Sequence, residues 1–401
     1  MCADRVAVYS IGIPDPSQGG SGIFNYYVIR ALLEKGYEVD GYFRAGKTFL
    51  QAHTVGTFLG ELEARGLNCT IIDEEQPRPR GLFGLDLLLD SHRVAVCSGV
   101  VDEVVKSRKP YVAHIAHDLG WIIALAGRVA PVVGLVGDPL PNRLRHGHEL
   151  RWNSMRSWLL RLQAMSAGSR WAVRGLANRL NGKVVLGSFT PSHAKEYRDK
   201  GLDCEHFRWF SPEVTPSSEP RVRNADGVFR MLHVGTLAST ASNKMLRYWM
   251  QRLLPELASL PFTVEIRFVG RGGQELESRW KNIRLITLGH EESLDTEYHN
   301  CDVFFSPMQY PVGTRTRILT AMSYGVPIIA DPSASQGLPE LVPGQEIFYG
   351  RDPVEIKSII QALYENPGLG DAAGKSARGK WEQLFQPRQN VEAILKAAGL
   401  H

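Results

Sequence analysis

The sequence has no cluster of cysteines. Its five cysteines, Cys2, Cys69, Cys97, Cys204 and Cys301, are scattered and odd in number, with no C-x-x-C and no Cys/His cluster. That spacing argues against a structural zinc site and a disulfide framework, and it suits a reducing compartment. Long apolar runs are missing too. The longest candidate, "WIIALAGRVAPVVGLVG", is broken by Arg128 and Pro131, too interrupted for a membrane-spanning helix. The opening "MCADRVAVYS" lacks the basic-then-apolar pattern of a secretory signal. No aspartate stands two residues from another, so there is no Asp-x-Asp motif. The expectation is a cytoplasmic protein, able to sit peripherally at the inner face of a membrane.

Acidic residues are almost absent from one stretch. Between Pro141 and Lys183 stand Arg143, Arg145, Arg151, Arg156, Arg161, Arg170, Arg174, Arg179 and Lys183, against Glu149 alone. Trp152, Trp158 and Trp171 punctuate it. Basic residues with interfacial aromatics on helices suit an anionic membrane surface, or else form a solvated face. No nucleic-acid-binding motif accompanies the charge.

What is present is alternation. The 401 residues exceed one ordinary domain. "RVAVYSI" (5–11) reads as a buried strand, "GIFNYYVIRALLEKG" as a helix closed by Gly36, and "YEVDGYF" as the next strand. "RVAVCSG" (93–99), "PYVAHIA" (110–116), "APVVGLVG" (130–137) and "KVVLGSF" (183–189) read as further strands. "SPEVTPSSEPRVRNADG" (211–227) has linker composition. A second series follows, with strands at 229–235, 262–270, 283–289, 301–307 and 326–331 and helices between. The expected fold class is α/β, with two Rossmann-like domains facing each other across a cleft. Residues 1–212 form the first, 213–386 the second, and helix 387–401 crosses back to the first. Ligands of such sheets sit beyond the carboxyl ends of the strands.

Two stretches carry glycine-rich turns. "PSQGGSGIFNYY" (16–27) follows the first strand and opens a helix, and it lacks GxGxxG spacing. Alone it fits a phosphate-facing loop and a ligand-free turn equally. "NCDVFFSPMQYPVGTRTRILTAMSYGVPIIAD" (300–331) is more specific. There Gly313 permits close backbone approach, the helix-opening NH groups at Thr314–Arg317 suit anionic oxygens, and Arg315 and Arg317 add charge-assisted donors.

This block resembles the donor-site signature of GT-B glycosyltransferases, above all the retaining family 4 (group 1). Asp302, Pro307, Gly313, Arg317, Ala321, Met322, Gly325 and Pro327 match its pattern. "FRMLHVGTLASTASNKM" is similar to the family's strand–VG–loop–lysine element, which implies Gly235 and Lys244 beside a nucleotide diphosphate. His290, after Gly289, matches the position lining the base. "QGGSG" resembles the amino-terminal glycine loop, implying that Gly20 and Gly22 face the donor. Thr320 stands where the family has its ribose-holding glutamate, and Gly137 where it has a histidine. The chain therefore reads as a divergent member.

The resemblance implies a retaining transferase that moves a sugar from a nucleotide-sugar to a hydroxyl of a glycan or lipid-linked acceptor. A bacterial envelope polysaccharide pathway is one setting for it. No cofactor and no metal are expected. Asp138, which follows Gly137 at a strand end, and His117 are the candidate catalytic groups; capping is the alternative for Asp138 and for the neighbouring Asp118. Two other readings stay open: a degenerate GT-B protein that only binds glycan or a partner, and a GT-B epimerase or phosphorylase.

Overall fold

The structure is a computed structural model, and it describes residues 4–16, 20–45, 57–73, 91–107, 109–137, 170–214, 226–235, 245–270, 276–289, 291, 293–306 and 314–401, with main chain only at 57, 91–93 and 170–173. The chain forms two compact units, Met1–Phe210 with Pro387–His401, and Ser211–Gln386.

The first unit runs β1 (Arg5–Ile11), α1 (Gly20–Glu34), β2 (Glu38–Ala45), α2 (Thr57–Ala64), β3 (Leu67–Asp73), α3 (Ser91–Lys106), β4 (Tyr111–His117), α4 (Leu119–Leu125), β5 (Val132–Val136), α5 (Arg170–Leu180), β6 (Val185–Ser188), α6 (Pro191–Asp199) and β7 (Cys204–His206). Its parallel sheet has the order β3-β2-β1-β4-β5-β6-β7. The central strands are buried on both faces, which is why they read as unbroken apolar runs: Val6 to Tyr9 of β1 are fully buried. Helix α1 ends in a Schellman motif. Gly36 (φ 84) takes the left-handed position, and Tyr37 N donates to Leu32 O while Gly36 N donates to Leu33 O.

One expected strand is a helix. Residues 93–99 lie in α3, not in a sheet. Read alone, the segment alternates as a strand does. Over the longer window Cys97, Val101 and Val104 recur at helical spacing and bury that face.

A polar cluster ties the strands of this sheet together. Asp40 of β2 is buried and accepts from the Tyr111 hydroxyl, Asn68 Nδ2 at 2.9 Å, Lys109 Nζ at 3.1 Å and Arg5 Nη1 at 3.3 Å. Burial pushes its pKa up, but the hydrogen bonds from Tyr111, Asn68 and Lys109 outweigh that and leave it below 3.8. A lowered folded value means the contribution to stability is complete above the unfolded value and is lost as pH falls through the folded one. Asp40→Asn is therefore expected to lower Tm near neutrality. The gap to the parent should close as melting is followed from about pH 5 to about pH 3.

The second unit runs β8 (Val228–Val234), a helix from Met245 that passes through a π turn (Trp249–Leu253) into α7 (Leu254–Leu257), β9 (Thr263–Val269), β10 (Ile283–Gly289), α8 (Asp295–Asn300), β11 (Val303–Ser306), α9 (Thr316–Ser323), β12 (Ile328–Ala330), β13 (Phe348–Tyr349), α10 (Pro353–Glu365) and α11 (Pro367–Leu384). Its parallel sheet has the order β10-β9-β8-β11-β12-β13. Phe229, Met231, Trp249, Ile266, Phe305 and Ile360 belong to the core on one of its faces. On α8, Glu297 takes both ends of the Arg267 fork, Nε at 2.6 Å and Nη2 at 2.9 Å. That bidentate pair fixes α8 on β9 and so sets the place of Tyr298.

The last helix, α12 (Pro387–Ala397), packs on α1 of the first unit. Val391, Ile394 and Leu395 bury its apolar face, and Glu392 pairs with Lys35 at 3.2 Å. Ser211, the first residue of the expected linker, is buried and accepts from Trp381 Nε1 at 2.7 Å, so the linker starts as a packed part of the second unit.

Candidate active site

In the second unit the chemistry gathers where β8 ends and α9 begins. Gly235 has φ 153, and its N–H reaches Val269 O at 2.8 Å. A Cβ there would stand 2.7 Å from Arg317 Nη2 and closer still to Cζ and Nη1. The glycine is thus the surface against which the Arg317 guanidinium lies. Arg315 caps α9 without a side-chain cap bond and donates from Nη2 to Ser333 Oγ at 3.0 Å. Both arginines are half-buried. Burial pushes the Arg315 pKa down to about 10; the Asp331 carboxylate opposes this, and the Arg317 charge adds to it. Burial lowers Arg317 as well, against a smaller raising effect of Tyr298. The result is two confined cations at a helix amino terminus, where the backbone dipole adds further positive potential.

His233, two residues before Gly235, was not singled out by its sequence. Its ring is buried against Trp249 at 5.3 Å between centroids. Its Nδ1 lies 2.9 Å from Phe305 O, and since a carbonyl only accepts, Nδ1 carries the proton and Nε2 is left as an acceptor. Burial, reinforced by the Arg317 charge and opposed by that hydrogen bond, lowers its pKa to about 4. His233 is therefore neutral at physiological pH.

The other expected donor-site residues fall as follows. Thr314 Oγ1 donates to Gly337 O at 3.4 Å. Thr320 Oγ1 donates to Thr316 O at 3.2 Å, inside its own helix. Lys244, His290 and Gly313 lie outside the described residues, as does Asp138 of the first unit and most of the basic stretch 141–183.

In the first unit, Gly20 and Gly22 lie within α1 itself rather than in the loop before it. A Cβ on Gly20 would come 3.3 Å from Trp209, and Gly22 is buried. Asn25 Nδ2 donates to Gly12 O at 3.1 Å and so pins the turn leaving β1. His117 ends β4, with Nδ1 3.5 Å from Ser10 Oγ and the ring 4.9 Å from Phe24. Burial lowers its pKa to about 4, so it is a neutral ring and a weak base. His114, three residues earlier on β4, is a core residue 3.2 Å from the Tyr9 hydroxyl. Asp118 caps α4, accepting from Gly120 N at 3.2 Å.

Among the described residues no His/Cys/Asp/Glu group is arranged to hold a metal ion, and no helix is long and apolar enough to cross a membrane.

Residues 229–366 match the family model described as "Glycosyl transferases group 1". No curated protein matches the sequence. Similar solved structures include Anabaena HepE in complex with UDP (TM-score 0.66, 15% identity, 99% of each chain). The same protein in complex with UDP-glucose is similar too (TM-score 0.64, 16% identity, 98% of this chain and 99% of that one). So is the sucrose-phosphate synthase of Thermosynechococcus elongatus (TM-score 0.64, 14% identity, 98% of each chain). Residues 229–366 of the second unit are therefore similar to the glycosyl transferases group 1, and the chain as a whole has the GT-B fold.

Proposed function

We propose that the protein transfers a sugar from a nucleotide-sugar to a hydroxyl of a glycan or lipid-linked acceptor. The observation that carries this reading is the pair of half-buried guanidiniums, Arg315 and Arg317, at the amino terminus of α9 and against Gly235. Confined positive charge of that kind suits a diphosphate. It also stabilises the negative charge that grows on the leaving group as the sugar–phosphate bond breaks. The arginines supply the charge that a divalent cation supplies elsewhere, so the reaction needs no metal.

The acceptor hydroxyl binds the first unit, where Asp138 would take its proton; burial makes His117 too weak a base for that part, so its ring would serve as a hydrogen-bonding group. If the anomeric configuration is retained, the leaving phosphate itself assists the incoming hydroxyl; the anomer formed, read by proton NMR, decides this. Exposed Arg174 and Arg179 on α5 suit an acceptor held at an anionic membrane surface.

UDP is the first nucleotide to test, because HepE was solved with it. Titration calorimetry should show UDP binding. Arg315→Ala and Arg317→Ala should each weaken it by about ten- to hundredfold, the worth of one charge-assisted phosphate contact. Unchanged affinity in both variants, or no binding of UDP, GDP or CMP to the parent, would overturn the reading.

A further inference from the structure

The turn that follows β12 holds one hydroxyl still. The strand ends at Ala330, and Asp331 caps a 3₁₀ turn (Pro332–Gln336), its Oδ1 accepting from Ser333 N at 2.8 Å. Pro332 has a fixed φ, and Ser335 Oγ donates to Pro332 O at 2.8 Å. Ala334 and Leu338 are buried, so the turn is anchored in the core. Ser333 stands half-buried between these restraints.

Two bonds join this turn to the start of α9. Thr314 Oγ1 donates to Gly337 O at 3.4 Å, and Arg315 Nη2 donates to Ser333 Oγ at 3.0 Å. Any acceptor would tether the two segments, but the identity of this one matters for charge. A confined cation is ordinarily paired with a carboxylate, which cancels the charge it could offer a ligand. A serine hydroxyl accepts the same bond and cancels nothing. A guanidinium carries five N–H donors in one rigid plane, so a bond at Nη2 sets the direction of the whole fork. An arginine held in advance also has less rotamer freedom to lose when a ligand arrives.

We propose that Ser333 is a positioning residue for the donor: its hydroxyl aims the Arg315 fork at the diphosphate of the nucleotide-sugar and leaves the positive charge intact. This inference rests on the donor-site reading of Arg315, through which Ser333 acts. A merely structural Ser333 would only tie the turn to α9. Thr314 and the buried Ala334 and Leu338 hold the turn as well, and a carboxylate at position 333 would tie it to Arg315 more strongly. The two roles therefore predict opposite effects of a carboxylate there.

The test is calorimetric titration of the full chain with UDP. Ser333→Ala should weaken binding by about five- to tenfold while still melting cooperatively. Ser333→Thr keeps the hydroxyl and should restore affinity to within about twofold of the parent. Ser333→Asp should pair with Arg315, cancel its charge and bind UDP more weakly than Ser333→Ala. In an Arg315→Ala background, Ser333→Ala should cause no further loss, because the residue it acts through is gone. Should Ser333→Ala not fold, Ser333→Cys keeps the size but accepts only weakly, and should show the same loss. Parent-like affinity in Ser333→Ala, a Ser333→Thr as weak as Ser333→Ala, or additive losses in the double variant overturns the proposal. Arg315→Ala and Arg317→Ala both binding UDP like the parent is instead failure of the donor-site reading. A weakened Arg315→Ala beside a parent-like Ser333→Ala is failure of this inference alone.

Discussion

Gly235→Ala is expected to weaken nucleotide binding by about a hundredfold or more while leaving the second unit folded. Two effects coincide at this position. At φ 153 an alanine is strained wherever its methyl points. The methyl also points at the Arg317 guanidinium, 2.7 Å from Nη2 and nearer still to Cζ. The side chain is the softer partner, so Arg317 moves and the strain remains. Strain alone lowers stability by about 1–2 kcal/mol. Displacing the charged fork removes a phosphate contact and blocks the backbone's approach to the ligand, so UDP affinity should fall by about a hundredfold or more. Gly36→Ala separates the two effects, because Gly36 is also left-handed but has nothing within 4 Å of its Cβ position. It should lower Tm and leave UDP affinity as it was. Calorimetric titration of both variants decides the matter. If Gly235→Ala binds UDP like the parent, Arg317 is not at the donor site.

Gly374→Ala should be the most destabilising single-methyl change in the second unit. The methyl would run into the carbonyl oxygen of Gly325, 3.0 Å from that residue's carbonyl carbon and 3.3 Å from Pro327 Cδ. Backbone and a proline ring cannot rotate away, so α11 has to shift off the turn that follows α9. Overpacking of this kind costs about 3 kcal/mol, or roughly 6–12 °C in Tm for a unit of this size. Gly379→Ala, five residues on in the same helix, meets nothing within 4 Å and should raise stability by about 1 kcal/mol. Opposite signs from two glycines of one helix would show that α11 is held by close approach rather than by propensity. Because α9 carries Arg315 and Arg317, Gly374→Ala should also weaken UDP binding. A neutral Gly374→Ala would mean the two segments do not touch.

Much of the fold was legible because parallel strands buried on both faces advertise themselves. "RVAVYSI", "PYVAHIA" and "FTVEIRFVG" have few other uses. Where burial is one-sided the reading failed. The edge strand β3, "LNCTIID", is half polar and carries little strand signal, while 93–99 imitates a strand inside a helix. Helix α11 was invisible because Gly368, Gly370, Gly374 and Gly379 look like loop residues, although one of them is there to let another backbone in. At the site, Gly235, Arg315 and Arg317 could be picked out because a local pattern surrounds each of them. His233 could not. Its protonation is set by a carbonyl 72 residues away. No window of sequence holds both halves of such a contact. Asp118 was legible as a titratable strand-end group and as a cap, but its left-handed backbone was not.

The chain leaves the first unit at Phe210 and returns to it at Pro387. A ribosome making this chain therefore completes the second unit before the first can finish, even though the first is begun earlier. Until α12 emerges, α1 has an uncovered surface where Val391, Ile394 and Leu395 will sit. The half-made first unit thus has to wait in the cell with that surface open for the time it takes to translate residues 211–386. At about 5–20 residues per second that is on the order of ten seconds or more. A chain truncated before Pro387 would leave this surface uncovered.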